Sequence, residues 1–135
     1  MTGLLWGVER EFHPDAPAYG WHLVTDYRGC SPVALENSCT LERWVRELVV
    51  LLGMKPHGQP IIEHFGHDSP ITSGYSVVQL ITMSSITAHL SPYLGTAHVD
   101  VFSCQRFEPV IAIEHTAAAF KANLDETRSV FLGRG

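Results

Sequence analysis

GYSVVQLITMSSITAHLSPYLGTAHVDVFSC, residues 74–104, is a succession of strand-forming runs that carry a serine, a histidine and a cysteine among their apolar residues. Ser76 and Ser84 lie on a Val/Leu/Ile-rich run, His89 closes the next short run, and Cys104 ends the alternating segment His98–Cys104. A nucleophile, a base and a thiol acid on neighbouring strands are the ingredients of covalent chemistry, and the stretch predicts that they lie within reach of one another.

Upstream, Trp21–Tyr27 (WHLVTDY) is aromatic and β-branched and stops at Arg28-Gly29, which predicts a strand. From Thr40 to Met54, residues Leu41, Trp44, Val45, Leu48, Leu51 and Leu52 recur at helical spacing, with Thr40 read as the N-cap and Gly53 as the stop. Pro60–Phe65 reads as another strand and 66–74 as a polar loop. Downstream, Pro109 in a first turn, followed by Val110, Ile113, Ala117, Phe120 and Leu124, predicts a second amphipathic helix of about four turns. Arg128–Leu132 reads as a last strand. Residues 1–19 show prolines and glycines without a period and read as an N-terminal extension holding one short strand. The interleaving predicts an α/β (α+β) fold over residues 20–135: a two-layer α/β sandwich, its sheet mainly antiparallel, with two helices on one face.

The chain has 135 residues, enough for one core, and its 45% hydrophobic content and net charge of −5 describe a globular protein without a polybasic surface for nucleic acid. The opening MTGLLWGVEREFHPD meets Glu9 and Arg10 before an apolar signal core forms, which predicts no export signal. The apolar run Leu48–Leu52 stops at Gly53 and Lys55, far short of the roughly 18 residues that cross a bilayer. Cys30, Cys39 and Cys104 form no C-x-x-C pair, so neither a disulfide framework nor a zinc knuckle is expected, and a reducing, cytoplasmic setting follows. Cys30 and Cys39 read as small buried hydrophobes. His64 and His67 lack a third ligand, so no metal is expected. Asp100, between Val99 and Val101, reads as a structural carboxylate, with a pocket acid as the alternative.

Met83-Ser84-Ser85-Ile86-Thr87-Ala88-His89-Leu90-Ser91-Pro92-Tyr93 and Val99-Asp100-Val101-Phe102-Ser103-Cys104 match a known pattern with no gap between Ser84 and Cys104. That pattern is E-S-H-[IL]-[ST]-I-H-T-W-P-E followed by V-D-[IL]-F-T-C, and Gly20-Trp21-His22-Leu23 resembles its upstream G-x-H-L. Over residues 20–132 the chain therefore resembles the short, prokaryotic type of S-adenosylmethionine decarboxylase. It departs from the pattern at Met83, where the family has glutamate, at Ser85, where it has histidine, and at Tyr93, where the family's substrate-contacting acid stands.

The resemblance implies a pyruvoyl-dependent carboxy-lyase of polyamine synthesis that makes its cofactor from its own chain. Ser84 would attack the Met83 carbonyl and become the pyruvoyl group, with His89 as the processing base and Ser76 as an assisting hydroxyl. Cys104 would be the acid that reprotonates the product carbon. Phe65 and Tyr93 are the aromatic candidates for holding S-adenosylmethionine, and a homodimer is implied. Two other readings stay open. One is an unprocessed, repurposed enzyme acting on S-adenosylmethionine by elimination or cyclisation at the sulfonium; the other is a non-catalytic homologue that only binds it.

Overall fold

The computed structural model describes residues 8–10 and 19–135. Its strands are β1 (Val8–Arg10), β2 (Gly20–Tyr27), β3 (Ile61–Phe65), β4 (Gly74–Ile81), β5 (Ser84–Ser91), β6 (Thr96–Ser103) and β7 (Arg128–Arg134). They form one sheet in the order β1-β7-β2-β6-β5-β4-β3. Neighbours pair antiparallel except β1 with β7, which run parallel. The short strand expected near the N-terminus is β1, while the rest of the extension before Tyr19 lies outside the described residues. Residues 74–104 become a three-strand meander, β4–β5–β6, turned at Thr82-Met83 and at Pro92–Gly95.

Side chains alternate across a strand, so residues paired across the ladder share a face. Val77, Ala88, Val99 and Thr25 form one row, and Gln79, Ile86, Val101, Leu23 and Phe131 form the next; all are buried. Over this face lie α1 (Pro32–Leu35), α2 (Ser38–Leu51) and α3 (Pro109–Phe120). Trp44 of α2 is the central wedge: it packs on Phe120 at 4.8 Å, and its indole N–H donates to Thr116 Oγ1 at 2.9 Å, so its one polar atom is satisfied inside the core.

The helices differ from expectation in instructive ways. The N-cap of α2 is Asn37, whose side chain accepts from the Thr40 N–H at 3.1 Å, so the helix begins before Thr40. Its end is as read: Gly53 (φ 71°) donates to Val50 O and Met54 to Val49 O, a Schellman closure. The 12-residue α3 is shorter than expected because Lys121 turns left-handed (φ 55°), and Leu124 belongs to a separate 3-10 turn, Leu124–Glu126. A third helix, α1, was not foreseen; Ser31 caps its Ala34 N–H and Pro32 opens it. Cys39 is exposed on the first turn of α2 rather than buried, whereas Cys30 is buried as read.

Burial pushes the Cys30 thiol up to about 11 and raises the Tyr27 phenol well above its usual range. Both stay neutral in the native state where an unfolded chain would ionise. Their contribution is therefore complete below the thiol's ordinary value of 9.0 and shrinks as pH rises toward 11. Thermal melts between pH 8 and 11 will show Tm falling across this window, with Cys30 costing on the order of 1–2 kcal/mol by pH 11. Replacement by Ala at Cys30 will flatten the first part of that fall.

Among the described residues no helix covers the opposite face of the sheet. One row crosses it as Glu63, Ser76, His89, His98, Asp26 and Arg128, and the next as Ile61, Val78, Thr87, Asp100, Val24 and Val130. A third holds Leu80, Ser85, Phe102, His22 and Leu132. Ile61, Leu80, Val24 and Val130 are exposed there, which makes this face both apolar and polar by turns.

Candidate active site

The four residues singled out in the sequence form two pairs, and the structure does not bring the pairs together within one chain. Ser76 and His89 face each other across β4 and β5 on the open face, with Ser76 Oγ 2.8 Å from His89 Nδ1. Ser84 and Cys104 stand at the other end of the meander, where Ser84 opposes Ser103 and the Cys104 N–H reaches Met83 O at 3.4 Å. The separation has a simple cause. Positions 84 and 89 differ by an odd number, so their side chains leave β5 on opposite faces, and five residues of strand span about 16 Å.

The Met83–Ser84 peptide sits in a two-residue hairpin turn, with Ile81 opposite Ser84. Met83 holds φ at 62°, a left-handed conformation that costs a residue with a Cβ on the order of 1 kcal/mol. Its side chain is exposed, so packing does not explain the choice. Both ends of this peptide are held at the end of β6: the Ser84 hydroxyl donates to Ser103 Oγ at 3.0 Å, and the Met83 carbonyl accepts from the N–H of Cys104, the residue that follows the strand. Gly20 is the reason β2 can lie so close. A Cβ there would sit 2.9 Å from the Ser103 carbonyl oxygen and 2.8 Å from the Phe102 ring, so the glycine of the Gly20–Leu23 motif guards the backbone that grips Ser84. Tyr19, which the sequence placed in the extension, stacks on Phe102, and the neighbouring half-buried Cys104 thiol raises the phenol's pKa.

A cavity of about 350 Å³ opens beside the other pair, lined by Phe65, Tyr75, Ser76, His89, Leu94 and His98 among others. It is mostly apolar with a few polar groups, as small-molecule sites are. Phe65 lies in this lining, whereas Tyr93 is exposed on the β5–β6 turn and takes no part in it. Gly74 backs the cavity because a Cβ there would meet the Leu90 carbonyl oxygen at 2.1 Å.

Two histidine–carboxylate pairs complete the open face. His22 Nε2–H donates to Asp100 Oδ1 at 3.0 Å while its Nδ1 accepts from Arg134 at 3.3 Å, so the Gly20–Leu23 and Val99–Cys104 motifs are tied across β2 and β6. Asp100 is thus a half-exposed, bonded carboxylate. His98 Nδ1–H donates to Asp26 at 2.8 Å, directly across β6 from His89. His64 and His67 stack face to face at 5.0 Å, so their in-plane lone pairs run parallel instead of converging. Among the described residues no group of three or more His, Cys, Asp or Glu side chains is placed to hold a metal.

Comparison with known proteins bears on the family and the fold. The family described as S-adenosylmethionine decarboxylase matches residues 21–133. The S-adenosylmethionine decarboxylase proenzyme of Thermodesulfovibrio yellowstonii is 32% identical over 108 residues, covering 79% of this chain and 76% of that protein. The proenzyme of Caldicellulosiruptor saccharolyticus is 32% identical over 117 residues, covering 86% and 90%. In fold, the chain is similar to the crystal structure of the adenosylmethionine decarboxylase from Aquifex aeolicus VF5, with a TM-score of 0.73 at 19% identity over 89% of this chain and 93% of that one. The sheet with one helical face, the strand pair carrying Ser76 and His89, and the hairpin ending in Ser84 are therefore those of a chain that belongs to the S-adenosylmethionine decarboxylase family.

Proposed function

We propose that this chain cuts itself between Met83 and Ser84 and, as a homodimer, decarboxylates S-adenosylmethionine in the cytoplasm to supply polyamine synthesis. The observation that carries the reading is the double grip on one peptide bond: Ser103 on the Ser84 hydroxyl at 3.0 Å and the Cys104 amide on the Met83 carbonyl at 3.4 Å. Attack by Ser84 Oγ on the adjacent carbonyl carbon puts negative charge on the oxygen that Cys104 N–H already faces. Removal of the Ser84 α-proton then needs a base. His89 suits that task when its Nδ1–H is donated to Ser76, because this leaves the Nε2 lone pair free. A pyruvoyl group at position 84 supplies an electron sink for the carbanion left by carbon dioxide. Cys104, whose backbone lies beside that position, returns a proton to carbon. The apolar cavity with Phe65 and Tyr75 holds the substrate's flat base.

The split site supports the homodimer. His89 is about 16 Å along β5 from Ser84 in its own chain, which favours a base supplied by a second copy. That copy covers the open face, where exposed Val24, Val130, Leu80 and Ile61 lie among half-buried Phe102 and Leu132. The intact mass of freshly made protein, followed by incubation with S-adenosylmethionine, tests the reading. Two fragments divided at Met83–Ser84, together with decarboxylated product, are expected. An uncut chain that releases methylthioadenosine would replace this reading with elimination at the sulfonium, and an uncut chain that leaves S-adenosylmethionine unchanged would end both.

A further inference from the structure

Ser103 is fully buried, stands opposite Ser84 in the β5–β6 ladder, and was not among the residues the sequence pointed to. Its Oγ receives the Ser84 hydroxyl at 3.0 Å and the Gln105 N–H at 2.9 Å. The Gln105 bond fixes where the oxygen sits, and the Ser84 bond then fixes where the nucleophile's proton points. With that proton directed at Ser103, the remaining lone pairs of Ser84 Oγ are free for the Met83 carbonyl carbon. The next residue, Cys104, just past the end of β6, holds the carbonyl oxygen through its amide. Two consecutive residues at the end of β6 thus set the nucleophile and the electrophile relative to each other, and His89 of the same chain is too far away to share the task.

We propose that Ser103 is the positioning residue for the acyl shift at Ser84, an inference that rests on the self-cleavage reading and adds to it the group that aims the attack. In this step a bond forms from Ser84 Oγ to the Met83 carbonyl carbon and the bond from that carbon to the Ser84 nitrogen breaks. The hydroxyl hydrogen ends on the freed amine. No oxidant or co-reactant is needed.

Ser103→Thr and Ser103→Val have nearly the same shape and differ by the hydroxyl, so they isolate its role. In freshly made full-length protein, Ser103→Thr will cleave near the wild-type rate and Ser103→Val about a hundredfold more slowly, the scale of a misplaced reacting group. Hydroxylamine, which cuts esters, separates positioning from a purely structural role. A His89→Ala chain stops after the shift and will be cut by hydroxylamine at Met83–Ser84. Adding Ser103→Val will remove most of that sensitivity. If Ser103→Val does not fold, Ser103→Ala takes its place in both measurements. Equal cleavage in the Thr and Val variants, with Ser84→Ala uncut, would overturn the role of Ser103 while self-cleavage stands. A wild-type chain that never cleaves would remove the self-cleavage reading and this inference with it.

Discussion

Mixed Ser84→Ala and His89→Ala chains will restore cleavage that neither variant completes alone. In a homodimer whose two copies meet at the exposed Met83 turn, Ser84 of the His89→Ala chain meets the intact His89 of its partner, so the His89→Ala chain is the one that will split. The gain will be large, from no second fragment to cleavage of about half the His89→Ala chains under equal random mixing, since half of its partners carry the histidine. Intact-mass spectra of co-expressed chains distinguish the two by mass. Splitting of the His89→Ala chain at full extent when made alone would show that the base is not His89; failure of the mixture to cleave would place the base within the same chain. The expectation depends on the five residues of strand, about 16 Å, that keep Ser84 and His89 of one chain apart.

Cys104→Ala will separate processing from turnover. Its backbone N–H, which holds the Met83 carbonyl, survives the substitution, so the chain will still split at Met83–Ser84. The thiol that delivers a proton to the product carbon is gone, and decarboxylation will fall by about 10²–10⁴-fold, the usual worth of a positioned proton donor. Fragment masses and product formation measured on one sample check both halves. Loss of splitting would mean that the side chain, and not only the amide, serves the first reaction.

Much of the sheet was legible because period-two alternation is dense in residues 74–104 and turn residues bracket each run. The same alternation holds the information that Ser84 and His89 diverge, through the parity of their positions, although their nearness in sequence suggests nearness in space. Ser103 was not legible in that way. Its meeting with Ser84 depends on the register of β5 against β6, which hairpin geometry sets and composition does not. Tyr19 escaped for a similar reason, since it reaches Cys104 by stacking on Phe102 from a neighbouring strand end. Among the helices, the spacing of Leu41, Trp44, Val45 and Leu48 found α2, but its start lies earlier than Thr40, at the Asn37 cap, whose side chain bonds the Thr40 N–H. The left-handed turn at Lys121 that ends α3 has no glycine to announce it.

The left-handed Met83 bears on what happens after the cut. In the uncut chain the hairpin forces that residue into an unfavourable conformation, and severing the bond to Ser84 lets the new carboxyl end relax, which makes the reverse reaction uphill. The two pieces stay joined without a covalent bond, by the β4–β5, β2–β6, β2–β7 and β1–β7 ladders and by the shared core. Folding, which begins as a search by one tethered chain, then becomes an encounter between two molecules. A cut molecule that unfolds will scatter its halves, so its lifetime is governed by the height of the unfolding barrier and no longer by an equilibrium it can revisit.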